Sequence, residues 1–216
     1  MNMKKRMLSI VLSGAMAVST AVSAGSFSAF AVAQCVAYSG SNVNDQDYVQ
    51  WSDTVKSYLT VCDNGNYMRV QSGAIEGKLL VEYYSSDFEP LSTKLIDNEL
   101  PIFGAFYDSS DNYYVLSGQE NPKQNDSLEV FRITKYDKNW NKIKSCGLYG
   151  ANTTVPFDAG SARMTHSGDH LLVRTCHKMY KSSDGNNHQA NVTIEVDMPS
   201  MTITDSYTGV MNVDYG

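Results

Sequence analysis

The sequence predicts an all-β, β-propeller-like fold built from repeated four-stranded antiparallel sheets. Three observations predict it: short β-rich runs separated by Asp, Asn, Ser and Gly clusters, little helical periodicity after residue 65, and repeats with β-propeller spacing, about 40–60 residues apart. Apolar residues make up 42% of the 216-residue chain and charged residues 19%. These proportions are typical of a folded globular protein and exclude a disordered one.

The first 33 residues have the pattern of a secretory signal peptide. Lys4, Lys5 and Arg6 form a basic start, residues 7–33 carry no charge, and Ala31-Val32-Ala33 is a small-x-small cleavage sequence. An uncleaved membrane anchor is the alternative, because the uncharged stretch is long enough to cross a bilayer. We therefore predict export to the extracellular space or the cell surface.

Charge restricts the classes of partner. The chain has 17 basic and 23 acidic residues, a formal net charge of −6, and cleavage after Ala33 would remove three basic residues and no acid. An acidic exported protein is repelled by phosphate backbones and anionic membranes. We predict a glycan or an extracellular protein as partner, no nucleic acid, and no membrane span after cleavage.

The first part of each repeat is a hairpin. Residues 105–116 and 163–174 match at an offset of 58 positions, and residues 60–70 form a partial copy 46 positions before the middle one. Each copy has two apolar runs joined by a polar turn, so it predicts two antiparallel strands, which we call a and b.

The second part of each repeat supplies strands c and d. Residues 82–91 match residues 134–143 at an offset of 52, which aligns Phe88 with Trp140 and predicts that both pack between sheets. A looser third copy begins at Glu195. Because one four-stranded sheet cannot bury both of its faces, such units stack face to face around an axis. A β-sandwich of similar hairpins is the alternative.

Repeat spacing sets the number of sheets. The 183 residues left after cleavage hold three to three and a half units, whereas closed propellers have about four or more. We therefore predict an incomplete propeller that continues beyond the C-terminus in a longer protein. Residues 34–59 form a separate N-terminal segment, in which Val55–Leu59 could be a strand or a short helix.

The most distinctive stretch is the predicted b–c loop of the last unit, residues 177–189. Its counterpart at residues 118–127 and the d–a connection at residues 147–160 are expected on the same face. Amide, acidic and aromatic groups there suit a sugar or a peptide, although solvated turns are the alternative. The candidate binding residues in these loops are His177, Tyr180, Asp184, Asn186, His188, Gln189, Glu120 and Asn121.

Two arginines complete the candidate set. Strand a is innermost in a propeller, so Arg163 is a candidate residue of the central channel, while the match of Met164 to Phe106 indicates that Met164 packs. Arg174 lies on the neighbouring strand b. We assign no catalytic residue.

Histidines and cysteines give no metal or cofactor prediction. His166 and His170 flank the a–b turn, whereas His177 and His188 flank the b–c loop about 23 Å away, so they cannot form one four-histidine centre. Rim histidines are the favoured interpretation. Export would permit disulfides, but the pairing of the four cysteines stays open and none is predicted.

Residues 136–143 and the matching b strands resemble those of secreted bacterial β-propeller-like proteins of unknown function. Residues 174–188 are similar to the His- and Arg-containing stretches of arylsulfotransferase propellers, but no full catalytic set matches residue by residue. The leading hypothesis is a non-enzymatic secreted or cell-surface binding or scaffold protein whose polar loops contact a glycan or a protein. The alternatives are an extracellular sulfotransferase-like or polysaccharide-acting enzyme that uses His177, His188, Arg174 or Arg163, and a structural part of a larger surface assembly.

Overall fold

The computed structural model describes residues 54–158 and 162–209. All thirteen elements of regular structure in these residues are β-strands. The strands are β1 Ser57–Val61, β2 Tyr67–Ile75, β3 Lys78–Tyr84, β4 Pro90–Asp97, β5 Ile102–Asp108, β6 Tyr113–Gly118, β7 Glu129–Tyr136, β8 Lys142–Tyr149, β9 Thr153–Pro156, β10 Arg163–Ser167, β11 His170–Lys181, β12 Asn187–Asp197 and β13 Thr202–Tyr207.

The strands form three antiparallel sheets, each a simple meander. Sheet 1 contains β1 to β4, sheet 2 contains β5 to β8, and sheet 3 contains β10 to β13, with β9 paired to one end of β11. The predicted repeated four-stranded sheets are therefore confirmed. Sequence matching did not identify β9.

The predicted domain limits are only partly within the described residues. The predicted signal peptide lies outside them, as does most of the predicted N-terminal segment. Sheet 1 begins at Ser57 rather than at residue 60, so the end of that segment is a strand and not a helix. No helix among the described residues has the length and apolarity needed to cross a membrane.

Strand β6 shows how the sheets stack. All six of its residues are buried, and successive side chains point to opposite faces of sheet 2. Tyr113 and Val115 pack in a cluster with residues of sheet 1, whereas Tyr114 and Leu116 pack in a cluster with residues of sheet 3. Sheet 2 is therefore covered on both faces, which gives three successive layers like adjacent propeller blades and excludes a two-layer sandwich for these residues.

Equivalent strands lie next to each other across the layers. Tyr58 of β1 contacts Phe103 and Phe106 of β5, with ring centroids 6.0 and 6.1 Å apart. Tyr107 of β5 in turn hydrogen-bonds His166 of β10 at 2.6 Å. The first strands of the three sheets thus line one side of the assembly, as strand a does in a propeller.

The turns between the third and fourth strands repeat in conformation as well as in sequence. Phe88, Trp140 and Met201 have φ angles of 62°, 63° and 50°, in the left-handed region that residues with a side chain rarely adopt. This shared conformation supports the alignment of Phe88 with Trp140.

The two aromatic residues at this repeated position differ in burial. Trp140 is 4% exposed, packs between Phe106 and Tyr136, and donates from Nε1 to the Tyr83 hydroxyl at 3.1 Å. Phe88 is 59% exposed and stacks on Tyr67 of its own sheet, with centroids 4.3 Å apart. The prediction of inter-sheet packing is therefore right for Trp140 and wrong for Phe88.

The connection after β9 is anchored in sheet 2 by Phe157, which is buried and has a φ of 60°. Its ring lies against Gly104 and Gly118, where an added Cβ would come within 2.5 and 2.8 Å of ring atoms. It also meets Phe131 edge to face. Gly104 and Gly118, on the neighbouring strands β5 and β6, thus form a socket for the ring, and a side chain at either position would collide with it.

Alanine substitutions at the repeated turn position should show which of the two aromatic side chains stabilises the packing between sheets. We expect Trp140→Ala to lower the free energy of unfolding by about 3 to 5 kcal/mol, because a buried aromatic side chain is replaced by a cavity. Phe88→Ala, a matched control with the same backbone conformation, should cost less than about 1 kcal/mol. Urea denaturation of both variants measures this difference, and equal losses would contradict the inter-sheet role of Trp140.

Candidate functional site

The predicted b–c loop is mostly strand. Strand β11 continues to Lys181 and β12 begins at Asn187, so the connection spans only residues 182–186 rather than residues 177–189. The β11–β12 ladder itself continues to the pair Lys181–Asn187, and β9 adds a strand on the other edge of β11 at His177, Lys178 and Met179.

His177 lies inside this extended strand and is fully buried. Its Nδ1 is 2.6 Å from Thr153 Oγ1, and the Thr153 hydroxyl donates to the Ala151 carbonyl, so Nδ1–H of His177 is the donor to Thr153. Burial lowers the pKa of His177 to about 4, against a weaker opposing effect of the Thr208 backbone. His177 is therefore a neutral, buried strand residue, so its predicted place in a loop is wrong, and its role in ligand binding stays a prediction.

The three predicted connections do meet at one end of the sheets. The Tyr180 hydroxyl accepts from Asn121 Nδ2 at 3.0 Å and donates to Asp126 at 3.1 Å, and the Tyr180 amide bonds the Asn152 carbonyl at 3.1 Å. Asn121 is 1% exposed and also binds both the amide and the carbonyl of Asn125. Asn121 and Tyr180 thus use their polar groups to fasten loops to each other.

The remaining loop candidates are exposed. Asp184 closes the β11–β12 turn, accepting from the Asn186 amide at 2.9 Å and from His188 Nε2 at 2.7 Å. Hydrogen bonds from Ser182, Asn186 and His188 lower the pKa of Asp184 well below its usual range. Gln189 donates to Asp158 at 2.8 Å. A ligand role for Glu120, Asn186, His188 and Gln189 stays a prediction.

Arg163 and Arg174 lie directly opposite each other on β10 and β11, on the exposed face of sheet 3. Arg174 donates to Thr193 Oγ1 at 2.6 Å, and Arg163 lies near enough to Tyr58 for its charge to oppose the burial-driven rise in the pKa of that tyrosine. As expected, Met164 packs against the core instead.

The histidines are held by different partners. His166 bonds Tyr107, His170 bonds Glu195 at 2.7 Å, and His188 bonds Asp184. In residues 54–158 and 162–209, no three His, Cys, Asp or Glu side chains are grouped so as to hold a metal ion. The thiols of Cys62, Cys146 and Cys176 are free.

A cleft of about 470 Å³ lies at the opposite end, between sheets 1 and 2. We call it the first cleft. One wall is apolar and consists of Tyr83, Leu91 and Cys62, while the β1–β2 turn brings Asp63 and Asn64 to its rim. This cleft was not predicted from the sequence. The Asp- and Asn-rich β1–β2 and β5–β6 turns, each followed by a strand that begins with tyrosine, are the signal that could have predicted it.

A hydrogen-bonded ion pair closes the other side of the first cleft. Lys138 Nζ donates to Asp108 Oδ1 at 2.5 Å and lies 4.3 Å from the centroid of the Tyr113 ring. Burial, reinforced by nearby negative charge, raises the pKa values of Tyr113 and Cys62, so both are neutral near pH 7. With two acids and one base, the lining carries one net negative charge.

No family model matches the chain, and no curated protein matches it. Similar solved structures include a mutant of the Synechocystis apocarotenoid oxygenase, with 10% identity and a TM-score of 0.46, covering 71% of this chain and 38% of that chain. An α-L-arabinofuranosidase from Clostridium thermocellum has 10% identity and a TM-score of 0.45, covering 72% of this chain and 50% of that chain.

A GH43 β-1,3-galactosidase solved with galactodeoxynojirimycin has 12% identity and a TM-score of 0.37, covering 69% of this chain and 44% of that chain. The chain thus spans half or less of the length of each of these proteins. At TM-scores below 0.5, the likeness assigns no activity to this chain.

His177 should make stability depend on pH. Between pH 6.5 and about 4, the unfolded chain binds a proton at this histidine and the folded chain does not, so the free energy of unfolding falls as the pH falls. The expected loss is roughly 2 to 3 kcal/mol. Urea titrations should give a flatter pH profile for His177→Leu, whatever its stability at pH 7.

His170→Gln is the control, because His170 is exposed on the same strand. A His177→Leu profile as steep as that of the wild type would contradict a buried neutral histidine.

Proposed function

We propose that this chain is an exported, non-enzymatic binding protein that holds a neutral glycan in the first cleft. The observation that carries the proposal is the cleft itself, in which an apolar wall faces short polar side chains from two sheets. Export rests on the predicted signal peptide.

The chemistry of the cleft suits a sugar ring. A saccharide has apolar C–H surfaces, which fit the wall of Tyr83 and Leu91, and hydroxyl groups at its edges. Carboxylate and amide groups such as those of Asp63 and Asn64 accept hydrogen bonds from hydroxyls, and amides also donate them. Both residues are on an exposed turn, where a ligand can reach them.

The charge of the cleft lining favours neutral glycans over acidic ones. The net negative lining, and the excess of acids over bases in the whole chain, disfavour sulfated or uronic-acid-rich chains. A neutral polyhydroxylated ligand avoids this repulsion.

The enzyme hypothesis gains no support from the geometry. His177 is buried, His188 is bound in the β11–β12 turn, and Arg174 lies on the exposed face of sheet 3. The residues proposed for it are therefore not brought together around one reacting centre.

Binding can be measured by calorimetric titration with neutral cello-, xylo-, manno- and laminari-oligosaccharides, from disaccharides to hexasaccharides, and with a sulfated heparin oligosaccharide as the charged comparator. We expect a neutral series to bind and Asp63→Ala to raise its Kd about tenfold, the effect of losing one hydrogen bond to a charged group.

Glu120→Ala is the matched control, since it removes the same charge from an exposed position at the other end of the sheets. Tighter binding of heparin than of every neutral series, or equal effects of the two variants, would contradict the proposal. Glycan turnover lost in His188→Ala and kept in His170→Ala would favour the enzyme hypothesis instead.

A further inference from the structure

A second cleft lies on the other side of sheet 2, at the same end of the strands. It has a volume of about 300 Å³ and separates sheet 2 from sheet 3. Its walls are the β5–β6 turn with Asp111, the β10–β11 turn with Asp169, and His166. We call it the second cleft.

The two clefts are related by the alternation of side chains along β6. Tyr113 lines the first cleft and Tyr114, the next residue, lines the second. Each tyrosine has a lysine near its ring, Lys138 at 4.3 Å and Lys135 at 5.9 Å.

Both linings also have the same charge count. In the second cleft Asp111, Asp169 and Lys135 supply two acids and one base, as in the first cleft. The β5–β6 turn is the partition, because Asp108 lines one cleft and Ser109 lines the other.

One group in the second cleft is left without a partner. The Tyr114 side chain is fully buried, and its hydroxyl has no hydrogen-bond partner among the described residues. Burial and the charge of Asp111 raise the pKa of Tyr114 to about 12, so it keeps its proton and can donate. A buried unpaired hydroxyl is costly, and a bound hydroxyl-bearing molecule would remove that cost.

We propose that the two clefts are successive subsites for one glycan chain that crosses the β5–β6 turn, with the Tyr114 hydroxyl as a contact in the second. This inference rests on the proposed function and specifies its ligand as an extended oligosaccharide. Packed sheets are about 10 Å apart, so the clefts flanking sheet 2 are separated by a span that a single sugar ring does not cover.

The test is the dependence of affinity on chain length in the neutral oligosaccharide series. Wild-type Kd should fall at least about tenfold from the disaccharide to the tetrasaccharide, as the second subsite fills. Tyr114→Phe should weaken binding of tetrasaccharides to hexasaccharides about five- to tenfold and leave disaccharide binding unchanged. Its melting temperature should equal or exceed that of the wild type, because the variant lacks an unpaired buried hydroxyl.

Tyr58→Phe is the control, since its hydroxyl is also buried but lines neither cleft, and it should not alter affinity at any chain length. Asp111→Ala changes an exposed residue of the second cleft and leaves the core intact. It should also weaken binding of the longer oligosaccharides and leave disaccharide binding unchanged.

The outcomes separate this inference from the proposed function. Disaccharide binding with no gain for longer chains, or equal loss at every length in Tyr114→Phe, overturns the two-subsite arrangement alone. Absence of binding by every oligosaccharide in the panel overturns both.

Discussion

Burial of both faces of sheet 2 is the constraint on which the other features depend. All six residues of β6 are buried, the first four alternate between two core clusters, and burial of each large apolar side chain contributes about 1.5 to 3 kcal/mol. Such a strand is stable only with a sheet on each side. Because stacked sheets twist, their ends separate, and clefts form where the turns diverge. The two clefts are thus a geometric consequence of the same packing that stabilises the stack.

Polar groups are used differently at the two ends of the sheets. At the end that carries the β11–β12 turn, Asn121, Tyr180 and Thr153 are hydrogen-bonded to neighbouring loops and to His177. At the opposite end, the Tyr114 hydroxyl is buried without a partner among the described residues. The first arrangement is typical of a rigid scaffold, because satisfied polar networks fix loop positions. Nε2 of His177 is also buried without a partner among the described residues, so the Tyr114 hydroxyl supports a ligand contact only together with the cleft that Tyr114 lines.

Local patterns predicted the parts of the fold that depend on local interactions. The offset that aligns Phe88 with Trp140 identified turns with nearly the same φ angle. The b–c loop was predicted too long because its polar residues continue the β11–β12 ladder as far as Lys181, and β9, from an earlier segment, pairs with the same end of β11. Burial of Trp140 but not Phe88 depends on which face has a neighbouring sheet, which matching copies cannot show. The first cleft combines Leu91 of strand β4 with Cys62 and Lys138 from two separate connections, and no sequence motif indicates that they lie close together.

The contact between Phe157 and two glycines limits how such a chain can diversify. Repeated units are usually regarded as interchangeable modules that arise by duplication. Here the ring that follows β9 occupies space left by Gly104 and Gly118, which belong to the preceding sheet. Exchanging sheet 2 for another copy would fail unless both glycines were inherited with it. The smallest unit that can be exchanged therefore includes sheet 2 together with Phe157, and it does not end at the boundary between sheets.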